Sequence, residues 1–271
     1  MDFFASLLRI LDASMPTPQP YGWFHLLWLG ITVATTVLLC KFKPKPRITM
    51  LIVALSVIVL EIYKQINYTF SYEGGITADY QWYAFPFQFC STPMYIGLLA
   101  GLTRPGKVHD ALCSYLATFA VFAGAAVMAI PGDVFISTIG INIQTMICHG
   151  SMVFIGIYLL QSGYVQLEHK TILKATPVFA ICVAMAAVMN EVAYRTGLLE
   201  EETFNMFFIS PYCEPHLLVY SSVQEVVPFP WCLVLYILGF TAAAYIVLLA
   251  AMGIAHLARK LVKPMSPKSP V

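Results

Sequence analysis

The chain has 271 residues, of which 59% are hydrophobic and 11% charged, and its formal net charge is +1. An ordinary soluble domain carries roughly 25% charged residues, and the mean hydropathy here is +0.76, so a water-soluble fold of this size has too few charges to coat its surface. A disordered chain and a collagen-like chain are excluded too, and a near-neutral charge with no basic stripe argues against nucleic acid as a partner.

In chain order, Phe3–Leu11 is a short apolar stretch with Arg9. It has no basic leader region, so it reads as a small helix lying on the membrane surface rather than a cleaved signal. The proline-rich stretch Met15–Pro20 ends it. A helical span needs about 20 mostly apolar residues, and seven stretches qualify: Tyr21–Cys40, Ile48–Ile66, Ala84–Leu102, Asp110–Ile130, Ile141–Gln161, Ala175–Tyr194 and Phe229–His256. The prediction is an all-α polytopic membrane protein with seven transmembrane helices. Residues 1–260 form one membrane domain, with 1–20 as its outer surface segment, and 261–271 form a cytoplasmic tail. A β-barrel is rejected because its strands alternate over about ten residues.

Twelve of the 15 basic residues fall on one side of this layout, among them Lys41, Lys43, Lys45, Arg47, Arg104 and Lys107. The positive-inside rule then places the N-terminus outside and the C-terminus in the cytoplasm. The loop from Arg195 to Pro230 holds Glu200, Glu201, Glu202, Glu214 and Glu225, but also apolar clusters at Phe204–Ile209 and Leu217–Tyr220. Such a loop is expected to pack as a lid over the outer mouth.

Polar side chains inside a bilayer are costly and therefore informative. Glu61, Lys64, Gln65, Gln88, Gln144, His149 and Asn190 all fall in the outer halves of predicted spans, with Glu191 beside them. They outline a pocket between spans two, three, five and six. Cys90 lies about 9 Å and His149 about 12 Å below the outer ends of their spans, which are compatible depths. A thiol beside a neutral imidazole makes a nucleophile–base pair. Pro93 removes a backbone donor near Cys90, leaving the Phe89 carbonyl without a helical partner. Structural readings stand beside these. A buried free cysteine is usually an apolar filler, the reading for Cys40, Cys113, Cys148, Cys182 and Cys232. Glu61 and Lys64, three apart, can simply pair on one helix. Gln65, Gln144 and Asn190 can be interhelical hydrogen-bonding groups. The seven cysteines show no Cys-x-x-Cys pair, and no metal or cofactor is expected.

At Phe85-Pro86-Phe87-Gln88-Phe89-Cys90, Ile147-Cys148-His149-Gly150 and Asn205-Met206-Phe207-Phe208 the chain resembles the YwaF-like integral membrane family, which includes bacterial proteins and vertebrate transmembrane protein 164. The resemblance implies a multi-pass protein of a cell membrane, bacterial in type, and an acyltransferase that moves a fatty acyl chain between phospholipids. It assigns catalysis to Cys90 and His149. Bacterial members often carry a histidine two residues before the cysteine, where this chain has Gln88. The expected function is a lipid-remodelling acyltransferase working through a thioester. Gln88, Gln144, Asn190, Glu61 and Lys64 would line its substrate pocket and membrane lipids would be its partners. A transporter or proton-binding protein using the same pocket, and a lipid hydrolase, are the alternatives. A retinal protein would need a lysine in the last span, and Phe229–His256 has none.

Overall fold

The six longest apolar runs become helices long and apolar enough to cross a membrane. In the computed structural model they are α1 (Trp23–Phe42), α2 (Pro46–Asn67), α4 (Lys107–Ala129), α5 (Ile139–Gln161), α6 (Lys170–Thr196) and α8 (Phe229–Val262). A short helix α3 (Thr92–Leu102) lies between α2 and α4, and α7 (Leu218–Val226) precedes α8. A two-stranded antiparallel hairpin, β1 (Phe70–Ser71) with β2 (Thr77–Ala78), follows α2. The structure describes Ser6 and residues 12–71, 76–197, 204–213 and 218–262. The expected surface helix at Phe3–Leu11, the glutamates at 200–202 and 214 and most of the tail lie outside the described residues.

The third expected span differs from its reading. Ala84–Leu102 is not one helix. Its helical part is the 11-residue α3, about 16 Å long against a hydrocarbon core of about 30 Å. Two prolines account for this. Pro93 sits in the first turn of α3, where its missing N–H costs nothing. Pro86 has no N–H to give a helix, and Phe85 before it is extended at φ −50°, ψ 134°. Irregular backbone at membrane depth must find its hydrogen bonds inside the protein, and residues 84–92 do so. The Ala84 carbonyl accepts from Gln65 Nε2 at 2.9 Å, the Pro86 carbonyl from the Tyr95 hydroxyl at 2.9 Å, and the Phe89 carbonyl from the Thr92 hydroxyl at 2.9 Å. The carbonyl orphaned by Pro93 is thus claimed by a neighbouring side chain.

The stretch 84–102 still runs the length of α2 in the opposite direction. Gln65, near the end of α2, holds Ala84, while Arg47 Nη2, at its start, donates to the Gly101 and Thr103 carbonyls at 3.2 and 2.9 Å. One end of the bundle therefore gathers Lys41, Lys43, Lys45, Arg47, Arg104, Lys107, Lys170 and Lys174 and is termed the basic end. The other, termed the pocket end, carries the hairpin and the 204–213 loop.

Helices meet where glycine removes a side chain. A Cβ on Gly124 of α4 would stand 2.6 Å from the His149 carbonyl, and one on Gly150 of α5 2.5 Å from Thr32 Oγ1 of α1. These contacts seat α5 at the centre of the bundle, where most of its residues from Ile141 to Leu160 are buried. A π-helical turn, Leu116–Ala120, interrupts α4 opposite this part of α5.

Candidate functional site

Glu61 organises the pocket end. Its Oε1 accepts from Lys64 Nζ and from Gln65 Nε2, both at 2.7 Å, and its Oε2 accepts from Gln144 Nε2 at 3.2 Å across on α5. The Glu61 side chain is only 7% exposed, so this saturation is what makes a carboxylate tolerable there. Gln65 extends the network: its Oε1 accepts from the Tyr80 hydroxyl at 2.6 Å. Burial first, and then the charge of Glu61, push the Tyr80 phenol up, so it remains a donor at neutral pH.

Cys90 lies in the turn before α3. Its carbonyl is 3.7 Å from Cys148 Sγ, which docks this turn on α5 one residue before His149. Cys90 borders a cavity of about 20 Å³ with Pro93, Met94, Cys148, Ser151 and Met152, about the room for one water. His149 is buried, and its Nδ1 lies 2.8 Å from the Thr145 carbonyl of its own helix. A carbonyl only accepts, so Nδ1 carries the hydrogen, and Nε2 of the neutral ring keeps its lone pair. Among the described residues no hydrogen bond joins the Cys90 thiol to the His149 ring. The fold docks the Cys90 turn on the residue before His149 and does not join the two side chains directly.

A groove of about 410 Å³ between α2 and α3 lies next to the Cys90 cavity. It is lined by Ile58, Glu61, Gln65 and Tyr95, and Met94 is common to both spaces. Apolar walls with a few polar groups at one end suit a molecule with a polar head and a hydrocarbon tail.

Gln88 and Asn190 have another task. Gln88 Nε2 donates to the Asn205 carbonyl and its Oε1 accepts from Phe207 N–H, both at 2.9 Å. Asn190 does the same for Met206, at 3.1 and 2.8 Å. Two side-chain amides thus hold three successive residues of the 204–213 loop, and the Tyr236 hydroxyl adds a bond to the Phe207 carbonyl at 2.9 Å. Phe207 is fully buried and stacks on Phe89 at 5.7 Å. It and Phe208 sit at φ 58° and 56°. Left-handed backbone at bulky residues costs about 1–3 kcal/mol and survives only where its surroundings over-determine it; the two amides and Tyr236 supply that. Residues 204–210 are packed against the bundle, most of them buried. Gln88→Leu strands the Phe207 N–H, at about 1–3 kcal/mol, while the Asn205 carbonyl keeps its bond from Phe208 N–H at 3.2 Å. A loss of about 1–3 kcal/mol is expected from thermal unfolding in detergent, and no shift in Tm would deny the clamp.

A family model described as the TMEM164 family matches residues 20–252. The chain belongs to the TMEM164 family. The match to the TMEM164 family takes in Cys90, His149, the Glu61 network and both loop-holding amides. No curated protein and no solved structure matches the chain.

Sequence reasoning passes over a Cys–His contact at the basic end. Cys113 Sγ lies 3.5 Å from His109 Nε2, which is also 2.7 Å from the Tyr164 hydroxyl, while His109 Nδ1 is 3.4 Å from Thr103 Oγ1. The signal is the four-residue spacing on one helix, which reading Cys113 as filler ignores. With Tyr164 and Thr103 taking its nitrogens, His109 ties the α3–α4 turn to the end of α5. No group of three potential metal ligands occurs among the described residues.

Proposed function

We propose that the chain is a phospholipid acyltransferase in which Cys90 carries the acyl group and His149 moves the proton. The observation that carries the reading is the docking of the Cys90 turn against α5 beside a histidine whose Nε2 keeps its lone pair. His149 takes the thiol proton, and the sulfur attacks the ester carbonyl carbon. The carbon–oxygen bond to the glycerol breaks, its oxygen takes the proton back from His149, and the acyl chain stays on Cys90 as a thioester. An acceptor lipid hydroxyl then gives its proton to His149 and attacks the thioester, and the thiol is restored. Catalytic hydrogen bonds are often long before substrate binds, and closure of the Cys90–His149 gap belongs to that step.

The donor lipid enters along the α2–α3 groove. Glu61 and Gln65 line its polar end, Lys64 and Gln144 fix Glu61, and Met94, unbranched and adaptable, moves aside to open the way to Cys90. Gln88 and Asn190 act from behind by holding the 204–213 loop rather than by touching substrate. Seven passes, counting 84–102 as the third, with the N-terminus outside and the basic end in the cytoplasm, follow from the charge asymmetry and put this pocket in the outer leaflet. The test is acyl exchange by purified protein in phosphatidylcholine vesicles holding an isotope-labelled donor and a lysophospholipid acceptor. The reading expects labelled chain on the acceptor. Label released only as free fatty acid would make the protein a hydrolase, and no redistribution would overturn the reading.

A further inference from the structure

On the far side of α3 from Cys90 lies a larger groove, of about 690 Å³, between α3, α4 and α6. Its walls include Tyr95, Leu99, Val108, Ile181 and Met185, and Lys107 stands at its basic end. The polar groups on the α3 wall are spent internally. The Tyr95 hydroxyl bonds the Pro86 carbonyl, and the Thr92 hydroxyl is held by the Phe89 carbonyl and Tyr115. What remains is hydrocarbon. Leu99, Val108 and Ile181 are 50%, 66% and 61% exposed, so the groove opens sideways into the bilayer. Along α6 it runs from Pro177 to Met189, about 18 Å, close to the roughly 15 Å that a lipid tail spans in one leaflet. Pro177 inside α6 has no N–H for the Leu173 carbonyl, which loosens the helix where the groove begins.

The basic end supplies the selectivity. Neither Lys107 nor Arg104 makes an ion pair with another described residue. Both are exposed, as is Asp110 one turn further on. Lys107 lines the groove and Arg104 lies three residues away, so the mouth presents positive charge that suits a phosphodiester.

We infer that this groove is a lipid site distinct from the Cys90 pocket, holding one acyl chain of an anionic phospholipid from the leaflet at the basic end, with the phosphate on Lys107. The site stands independently of the thioester chemistry.

The test uses the full chain in phosphatidylcholine vesicles containing phosphatidylglycerol with a diazirine in its acyl chain, with labelled residues located by peptide mass spectrometry. Labelling is expected to concentrate on Val108–Leu112 and Val178–Met185. Ile181→Trp, which fills the groove, should remove it there and leave labelling at the exposed α1 residues Val33 and Val37 unchanged. Lys107→Gln should lower groove labelling roughly fivefold, and the same probe built on phosphatidylcholine should not respond to it. Cys90→Ala should label like wild type, which separates this site from the catalytic proposal. Labelling spread evenly over the lipid-facing helices, or groove labelling indifferent to Lys107→Gln, overturns the inference.

Discussion

Replacing Cys90 by alanine is expected to bring acyl transfer to background while the protein still folds. Cys90 is only half-buried and borders a cavity of about 20 Å³, so removing one sulfur adds little empty volume and costs little packing. Its backbone, whose carbonyl meets Cys148, stays in place. What disappears is the only atom in this part of the bundle proposed to form a covalent bond with the acyl carbon. His149→Ala removes a proton carrier instead and should slow transfer by about 10²–10⁴-fold. Cys148→Ala is the informative control. It deletes the thiol that docks the same turn and should lower transfer far less than Cys90→Ala. Equal losses from Cys90→Ala and Cys148→Ala would mean that packing of the turn, not chemistry at one sulfur, sets the rate.

Lys64→Met is expected to destabilise the bundle by about 3–5 kcal/mol, the usual cost of leaving one member of a buried ion pair alone. The Lys64 side chain is 17% exposed and its partner Glu61 7%, so water can do little to replace the lost cation. Gln65 and Gln144 still donate to Glu61, which puts the loss toward the lower end of that range. The double variant Glu61→Gln, Lys64→Met removes both charges and should recover most of the stability, because a neutral amide in the same place needs only hydrogen bonds. Thermal unfolding in a fixed detergent measures both. If the double variant is no more stable than the single one, the unpaired Glu61 charge is not what costs the single variant its stability.

Six of the seven expected spans were legible because each is a run of apolar residues long enough to cross a bilayer, and composition alone marks such runs. Ala84–Leu102 was misjudged because its composition is equally apolar while Pro86 and Pro93 dictate the backbone; local donors mattered more than hydropathy. In the site, Glu61 with Lys64 was readable because a spacing of three residues is local on a helix. The partners of Gln88 and Asn190 were not, since they are backbone groups of a loop at residues 205–207 and nothing in a side-chain pattern announces a bond to distant main chain. The packing of this loop was visible as the apolar cluster Phe204–Ile209, but not the left-handed backbone at Phe207 and Phe208. His109 with Cys113 carried a local signal and escaped only because cysteine so often is filler.

The central claim is that Cys90 holds an acyl chain, and the intact mass of the protein after exposure to a defined phospholipid tests it most directly. Wild type should gain the mass of one acyl group, lost on treatment with hydroxylamine. Cys90→Ala should gain none, and His149→Ala should gain it more slowly. A hydroxylamine-sensitive acyl mass that persists in Cys90→Ala, or lipid products identical between wild type and Cys90→Ala, would contradict the account.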